Sequence, residues 1–181
     1  MGLRICRNCF IGVVVLLCVS CMGSDPEEGA NLAVGDALPT FVVTMSDGTT
    51  VTTSDLLGRP SVIVFFSTSC PDCQKQLPEL QRLWNATDRT EVPILLIARA
   101  QTQSDIERYW KSEGFTMAYS PQPDRSVYHL FATSRIPRIY ISDRKGIIRY
   151  IHTDEVLPTC ETLQEEIRNS DKCKHPIKYP L

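Results

Sequence analysis

The chain has 181 residues, 43% hydrophobic and 22% charged, and a formal charge of −2. That length supports one ordinary domain with a real core, and the composition is globular rather than disordered. Without Arg4 and Arg7 the charge is about −4, a balance that gives no reason to expect nucleic acid or an anionic membrane surface as a partner.

The first 21 residues read as an export signal. Arg4 and Arg7 form a positive n-region, and Phe10 to Val19 is an almost unbroken apolar run. The run is shorter than the ~20 residues a bilayer span takes and suits a secretory signal. Ser20 then precedes Cys21, and Leu17-Cys18-Val19-Ser20-Cys21 is similar to a bacterial lipoprotein box. In such a box the cysteine is lipidated and becomes the new N-terminus; here Cys18 stands where the box usually carries Leu. Cleavage slightly later, without lipid, is the alternative. Residues 22–34 are polar, small and acidic and read as a tether. A domain over 35–169 and a tail over 170–181 complete the division.

Within the domain, Phe41 to Met45 and Thr49 to Val51 are short strand-like runs joined by the turn signal Ser46-Asp47-Gly48. Ser54 to Gly58 reads as one capped helical turn, ended by Arg59-Pro60. Ser61 to Phe66 is β-branched and apolar throughout, as a central strand buried on both faces should be. Leu77, Leu80, Leu83 and Trp84 repeat at helical spacing over Gln74 to Trp84, with Pro78 inside and a kink expected there. Val92 to Ala98 is the next buried strand, and Ser104 to Ser112 a helix with Ile106, Tyr109 and Trp110 on one side. Ser126 to Phe131 reads as a short helix. Arg138 to Ser142 and Ile147 to Ile151 are strands joined by the turn Asp143-Arg144-Lys145-Gly146, and Glu161 to Arg168 is a final helix. This succession predicts one α/β layer architecture, with right-handed crossovers that put Cys70 between the C-terminal end of a central strand and the start of a helix.

Eight cysteines are present. Cys6, Cys9 and Cys18 leave with the signal; Cys6-x-x-Cys9 and Cys18-x-x-Cys21 have zinc-like spacing, but an apolar run lies between them. Five remain, an odd number for an oxidising compartment. Lipidation of Cys21 leaves two pairs. Cys70 and Cys73 form the reactive one. Cys160 with Cys173 reads as a structural disulfide worth ~3 kcal/mol, the alternatives being two free thiols or a second exchanging pair. His129, His152 and His175 show no metal-ligand spacing, and neither a metal nor another cofactor is expected. Trp84 and Trp110 read as core. Asn85-Ala86-Thr87 matches a glycosylation acceptor that matters only in a eukaryotic secretory pathway.

Disulfide exchange needs a thiolate, an accessible sulfur and a second thiol to resolve the mixed disulfide. At a helix start, unpaired N–H groups and the helix dipole favour the ionised form of Cys70. Cys73 lies one turn on, and Pro71 has no N–H to lose at that position. Asp72 brings negative charge near the sulfurs, which opposes thiolate formation and points to a reductant.

The segment Phe65-Phe66-Ser67-Thr68-Ser69-Cys70-Pro71-Asp72-Cys73-Gln74-Lys75-Gln76-Leu77-Pro78-Glu79-Leu80 resembles the active-site region of the membrane-anchored thioredoxin-like proteins of the TlpA/ResA type. Ile136-Pro137-Arg138-Ile139-Tyr140-Ile141-Ser142-Asp143-Arg144-Lys145-Gly146 is similar to that family's cis-proline loop and the strand and turn after it. The resemblance covers residues 35–167. It implies a thioredoxin-like fold: a central mixed β-sheet flanked by helices, with an N-terminal β-hairpin extension. It implies that Cys70 attacks, that Cys73 resolves, and that Pro137 is cis and faces the sulfurs, with the Ile136 backbone pairing an extended substrate strand. An ordinary trans proline at the strand entry is the alternative for Pro137.

Two positions depart from the family pattern. Gln76 stands where many members carry Glu, and a neutral amide cannot relay a proton; Glu79 is nearby but reads as solvated. Ser69 replaces a common tryptophan. Arg138 is read either as stabilising a thiolate or as a surface arginine beside a strand. The expectation is an exported thiol–disulfide oxidoreductase on the periplasmic side of a bacterial membrane, anchored through Cys21. It exchanges with protein thiols and disulfides of the cell envelope and draws on a membrane or periplasmic dithiol donor. Two alternatives are a peroxiredoxin-type peroxidase, for which Ser67 and Arg138 supply the needed residue types, and a non-enzymatic copper chaperone of thioredoxin fold using His129.

Overall fold

The computed structural model describes residues 29–172. The expected signal, Cys21, most of the tether, Cys173 and the rest of the tail lie outside the described residues. Among those described, no helix is long and apolar enough to cross a membrane.

Strands β1 (Val42–Thr44) and β2 (Thr50–Thr52) pair as an antiparallel hairpin, followed by a single 3-10 turn at Thr53–Leu56. Gly48 supplies the positive φ of the hairpin turn, and Asp47 accepts from the N–H and hydroxyl of Thr49. The main sheet holds β3 (Ser61–Phe66), β4 (Ile94–Ala98), β5 (Tyr119–Ser120), β6 (Arg138–Ser142) and β7 (Ile148–His152) in the order β5-β4-β3-β6-β7. β3, β4 and β5 run parallel; β6 is antiparallel to β3, and β7 to β6. Helices α1 (Pro71–Ala86), α2 (Gln103–Glu113), α3 (Ser126–His129) and α4 (Cys160–Ser170) complete the fold.

Every residue of β3, β4 and β6 is buried. Their unbroken apolar runs therefore mark strands covered on both faces. Phe65, Tyr128, Phe131 and Tyr140 form an aromatic cluster at 4.9–6.2 Å centroid separation, and Phe66 stacks against Trp110 at 5.2 Å. The hairpin covers the open edge: Ser46 N–H donates to the Tyr119 carbonyl and Ser120 Oγ to the Thr44 carbonyl. An edge strand is thereby hidden from other chains.

Three features differ from the sequence reading. β5 is only two residues long and carries no periodicity to read. α1 starts at Pro71, before the apolar repeat begins, because Cys70 caps it and Pro71 occupies its first turn. The tether does not stay detached as far as residue 34. Thr133 N–H donates to the Gly29 carbonyl, Asn31 N–H to that of Phe131, and Gly35 N–H to that of Ile148. Those backbone bonds tie residues 29–35 to the domain.

Candidate active site

The buried strand β3 delivers the chain to a tight turn, Ser67 to Cys70, at its C-terminal end. Cys70 N–H donates to the Ser67 carbonyl at 3.2 Å, closing the turn. Gln101 clamps it from the side: its Oε1 accepts from Thr68 N–H at 2.7 Å and its Nε2 donates to Thr68 Oγ1 at 2.8 Å. Gln74 Nε2 donates to the Thr68 carbonyl. Two polar side chains, Gln101 and Gln74, thus hold a loop whose backbone the sheet no longer pairs.

Cys70 is extended (φ −90°, ψ 119°) and is the N-cap of α1. Its sulfur accepts from Cys73 N–H at 3.4 Å, doing what a Ser or Asp oxygen does at other helix starts. The same sulfur lies 3.4 Å from the Ile136 carbonyl, to which the thiol donates. Cys70 is partly exposed and Cys73 is buried, and both are free thiols. Burial is the main cause that pushes the Cys73 thiol far above the ordinary range, the hydrogen bond to Cys70 adding to it; Ser67 N–H and the charge of Arg99 act the other way.

The Ile136–Pro137 bond is cis. The loop before it is held by Tyr128, whose hydroxyl lies 2.5 and 2.7 Å from the Ser134 and Arg135 carbonyls. Arg135 has φ 67° and Ala100 φ 57°, left-handed values that non-glycine residues rarely take. Both flank the dithiol end of the sheet. Arg135 is fastened by Asp154 and Glu155.

The remaining sequence-derived residues distribute unevenly. Asp72 is paired with Lys75 at 2.8 Å, so a cation offsets its charge beside the sulfurs. Gln76 is buried and links α1 to the loop before α4, its Nε2 donating to the Pro158 carbonyl at 2.9 Å. Its Oε1 has no hydrogen-bond partner among the described residues. Glu79 is not merely solvated: it accepts from Cys160 N–H at 2.7 Å and pairs with Arg82. Arg138 is fully buried, with Nε donating to the Ser134 carbonyl. The surface alternative for it is overturned, because β6 lies between β3 and β7 and exposes no residue. Ser67 Oγ is bonded to Ser69 Oγ at 2.9 Å.

Cys160 is a free thiol, buried at the first turn of α4. Cys173, its expected partner, lies outside the described residues. The ends of α4 are roughly 15 Å apart, whereas a disulfide needs Cα atoms within about 7 Å. A bridge to Cys173 therefore requires the chain to double back along α4 or the last turns of α4 to unwind. His129 is exposed, and among the described residues no three His, Cys, Asp or Glu side chains cluster as metal ligands.

Gln101, Tyr128 and Arg99 were not singled out in the sequence. The available signal was position: Arg99 and Gln101 follow the strand next to β3 in a parallel pair, and the carboxyl ends of such strands are where sites form.

The AhpC/TSA family matches residues 34–151. A curated relative, the thiol-disulfide oxidoreductase ResA of Geobacillus thermodenitrificans, is 22% identical over 146 residues, covering 78% of this chain and 84% of its own. Among solved structures, a candidate protein disulfide isomerase from Bacteroides thetaiotaomicron superposes with a TM-score of 0.72 at 24% identity, covering 80% of this chain and 93% of that one. The thioredoxin domain of a thiol-disulfide oxidoreductase from Bacteroides vulgatus gives 0.63 at 20% identity, covering 75% and 99%. Identities this low speak for the fold, which here is the mixed five-stranded sheet with its dithiol at the start of α1. With the family matched over most of the described domain, the chain belongs to the AhpC/TSA family and has the thioredoxin-like fold.

Proposed function

We propose that this thiol–disulfide oxidoreductase reduces disulfides of exported proteins through Cys70 and Cys73. The observation that carries the reading is the placement of the Cys70 sulfur, partly exposed, at the cap of α1, 3.4 Å from Cys73 N–H and 3.4 Å from the Ile136 carbonyl. In the first step the Cys70 thiolate attacks one sulfur of a substrate disulfide. The Cys70–substrate bond forms, the substrate S–S bond breaks, and the second substrate sulfur leaves and takes a proton from water. The Cys73 N–H and the positive end of α1 stabilise the attacking thiolate. The Ile136 backbone beside the sulfur offers an edge for an extended substrate segment.

In the second step Cys73 attacks Cys70. The Cys70–Cys73 bond forms, the Cys70–substrate bond breaks, and the substrate sulfur that was joined to Cys70 leaves with the proton that Cys73 gives up. The Gln76 amide, one turn from Cys73, cannot take that proton. A membrane or periplasmic dithiol returns the pair to the reduced form. The apolar run and Cys21 support an exported, lipid-anchored protein.

Trapping tests this directly. Cys73→Ala should hold substrates on Cys70 as mixed disulfides that thiol reductants release, and Cys70→Ser should hold none. A folded Cys73→Ala protein that collects no adducts from cell-envelope extracts would overturn the proposal.

A further inference from the structure

Residues 29–31 lie along residues 129–133, the stretch that leaves α3 for β6. Thr133 N–H donates to the Gly29 carbonyl at 2.7 Å and Asn31 N–H to the Phe131 carbonyl at 3.0 Å, the two bonds of an antiparallel bridge between Ala30 and Ala132. Asn31 Nδ2 adds a bond to the His129 carbonyl at 2.6 Å. The end of the tether thus runs as a short strap beside the segment that enters the site. Gly29 is the tightest point of the strap. Its φ is 78°, and a methyl group there would overlap Ser134 Oγ and lie 2.9 Å from Ser134 Cβ. Only glycine allows both this backbone conformation and this approach.

Ser134 is not free to give way. Its carbonyl is held by the Tyr128 hydroxyl and by Arg138 Nε at 3.0 Å, and Tyr128 is itself packed under the Arg99 guanidinium, 5.3 Å from the ring centroid. One residue on, Arg135 has φ 67°. A side-chain-bearing residue keeps that conformation only where its surroundings over-determine it. The strap and Tyr128 fix the chain before Arg135, and Asp154 and Glu155 fix its side chain. Next comes Ile136, whose carbonyl lies 3.4 Å from the Cys70 sulfur. Every link from Gly29 to that sulfur is a hydrogen bond or a stretch of continuous backbone.

We propose that residues 29–31 are a positioning element for substrate capture, with Gly29 as the residue that lets them dock. They hold residues 133–136 so that the Ile136 backbone stays aligned beside Cys70 and pairs with an extended segment flanking the substrate disulfide. The proposal rests on the dithiol reading above. It narrows the substrate class to disulfides within extended polypeptide, against small disulfides that offer no backbone to pair. Without the strap, Thr133 N–H loses its acceptor and Arg135 can leave its left-handed conformation, which carries the Ile136 carbonyl away from the sulfur. The Cys70 thiolate is stabilised from α1, through Cys73 N–H, so its attack on a small disulfide does not need the strap.

The test uses the full-length reduced protein in single turnover with two reporters in excess: a linear peptide carrying a mixed disulfide at a central cysteine, and oxidised mercaptoethanol. For the peptide, Gly29→Ala should raise the half-saturating concentration roughly tenfold, the scale of one lost backbone pairing, and change the limiting rate less than about twofold. The rate with oxidised mercaptoethanol should stay within about twofold in the same variant. Adding Ser134→Gly, which removes both atoms that meet the new methyl, should recover most of the peptide affinity. Asn31→Ala leaves the backbone unstrained and removes one bond of the strap, so it should raise the half-saturating concentration roughly threefold. An unchanged value in Asn31→Ala, or in a folded Gly29→Ala protein, would overturn the proposal. So would equal loss with both reporters, which would mean that the strap serves stability or sulfur reactivity alone, or a double variant no better than Gly29→Ala. A failure of the dithiol reading itself is distinct, because then the unaltered protein reduces neither reporter.

Discussion

Helices α1 and α4 both start beside a cysteine. At α1 the cysteine is itself the cap: the Cys70 sulfur accepts from Cys73 N–H, is partly exposed, and lies against the Ile136 carbonyl. At α4 the cap is Thr159, whose Oγ1 accepts from Thr162 N–H, and Cys160 is one residue inside. There the helix N–H goes to Glu79, and the thiol is pushed upward by burial first and by Glu161 and Glu79 after it, with Arg82 opposing. The helix dipole is available at both ends. Only at α1 does a sulfur take the capping position, stay partly exposed and have a second thiol one turn away.

The largest effect should come from deleting each sulfur. Cys70→Ser should lower insulin disulfide reduction by roughly a thousandfold or more, and Cys160→Ser should leave it within about twofold. Comparable losses in a turnover assay would erase the distinction between the two helix starts.

Alkylation of the reduced protein sharpens it further. At neutral pH iodoacetamide should label Cys70 first, with Cys160 slower by roughly a hundredfold, since only thiolate reacts and a buried thiol must first be uncovered. A raised thiol pKa keeps the neutral form dominant up to a higher pH, so the Cys160 rate should climb only above the ordinary thiol range near about 8.5. Peptide mapping across a pH series reads both sites in one sample; early labelling of Cys160 would show that burial does not protect it.

Packing should not separate the helices as their sulfurs do. Leu77 of α1 and Leu163 of α4 are both fully buried. Truncating either to Ala should cost about 2–5 kcal/mol in denaturant unfolding. A cost well under 1 kcal/mol for one of them would mean that its helix is not part of the common core.

Smallest is the cap. Thr159→Ala should lose about 1 kcal/mol of stability with no change in exchange rate. A parallel loss of activity would mean that α4 takes part in the reaction, through Gln76 and the Pro158 carbonyl.

Much of this was readable from residues alone. Ser61 to Phe66 and Val92 to Ala98 are apolar without alternation, which only strands covered on both faces require, and a dithiol after the first of them marks the end of the sheet that carries the proposed site. Asp47-Gly48 marks the hairpin, and Leu77, Leu80 and Leu83 mark the buried face of α1. The sequence by itself thus determined the core strands, the helix faces and the dithiol, because each depends on short-range patterns of polarity and backbone preference. It left open where Arg138 and Glu79 would lie, that residues 29–34 would pair with the domain, that Gln101 would clamp the Cys70 turn, and that Arg99 would rest on Tyr128. Those outcomes depend on which strand lies beside which and on contacts between residues tens of positions apart. Only the tertiary structure decides them, because a charged or amide side chain has no burial preference strong enough to announce its partner in advance.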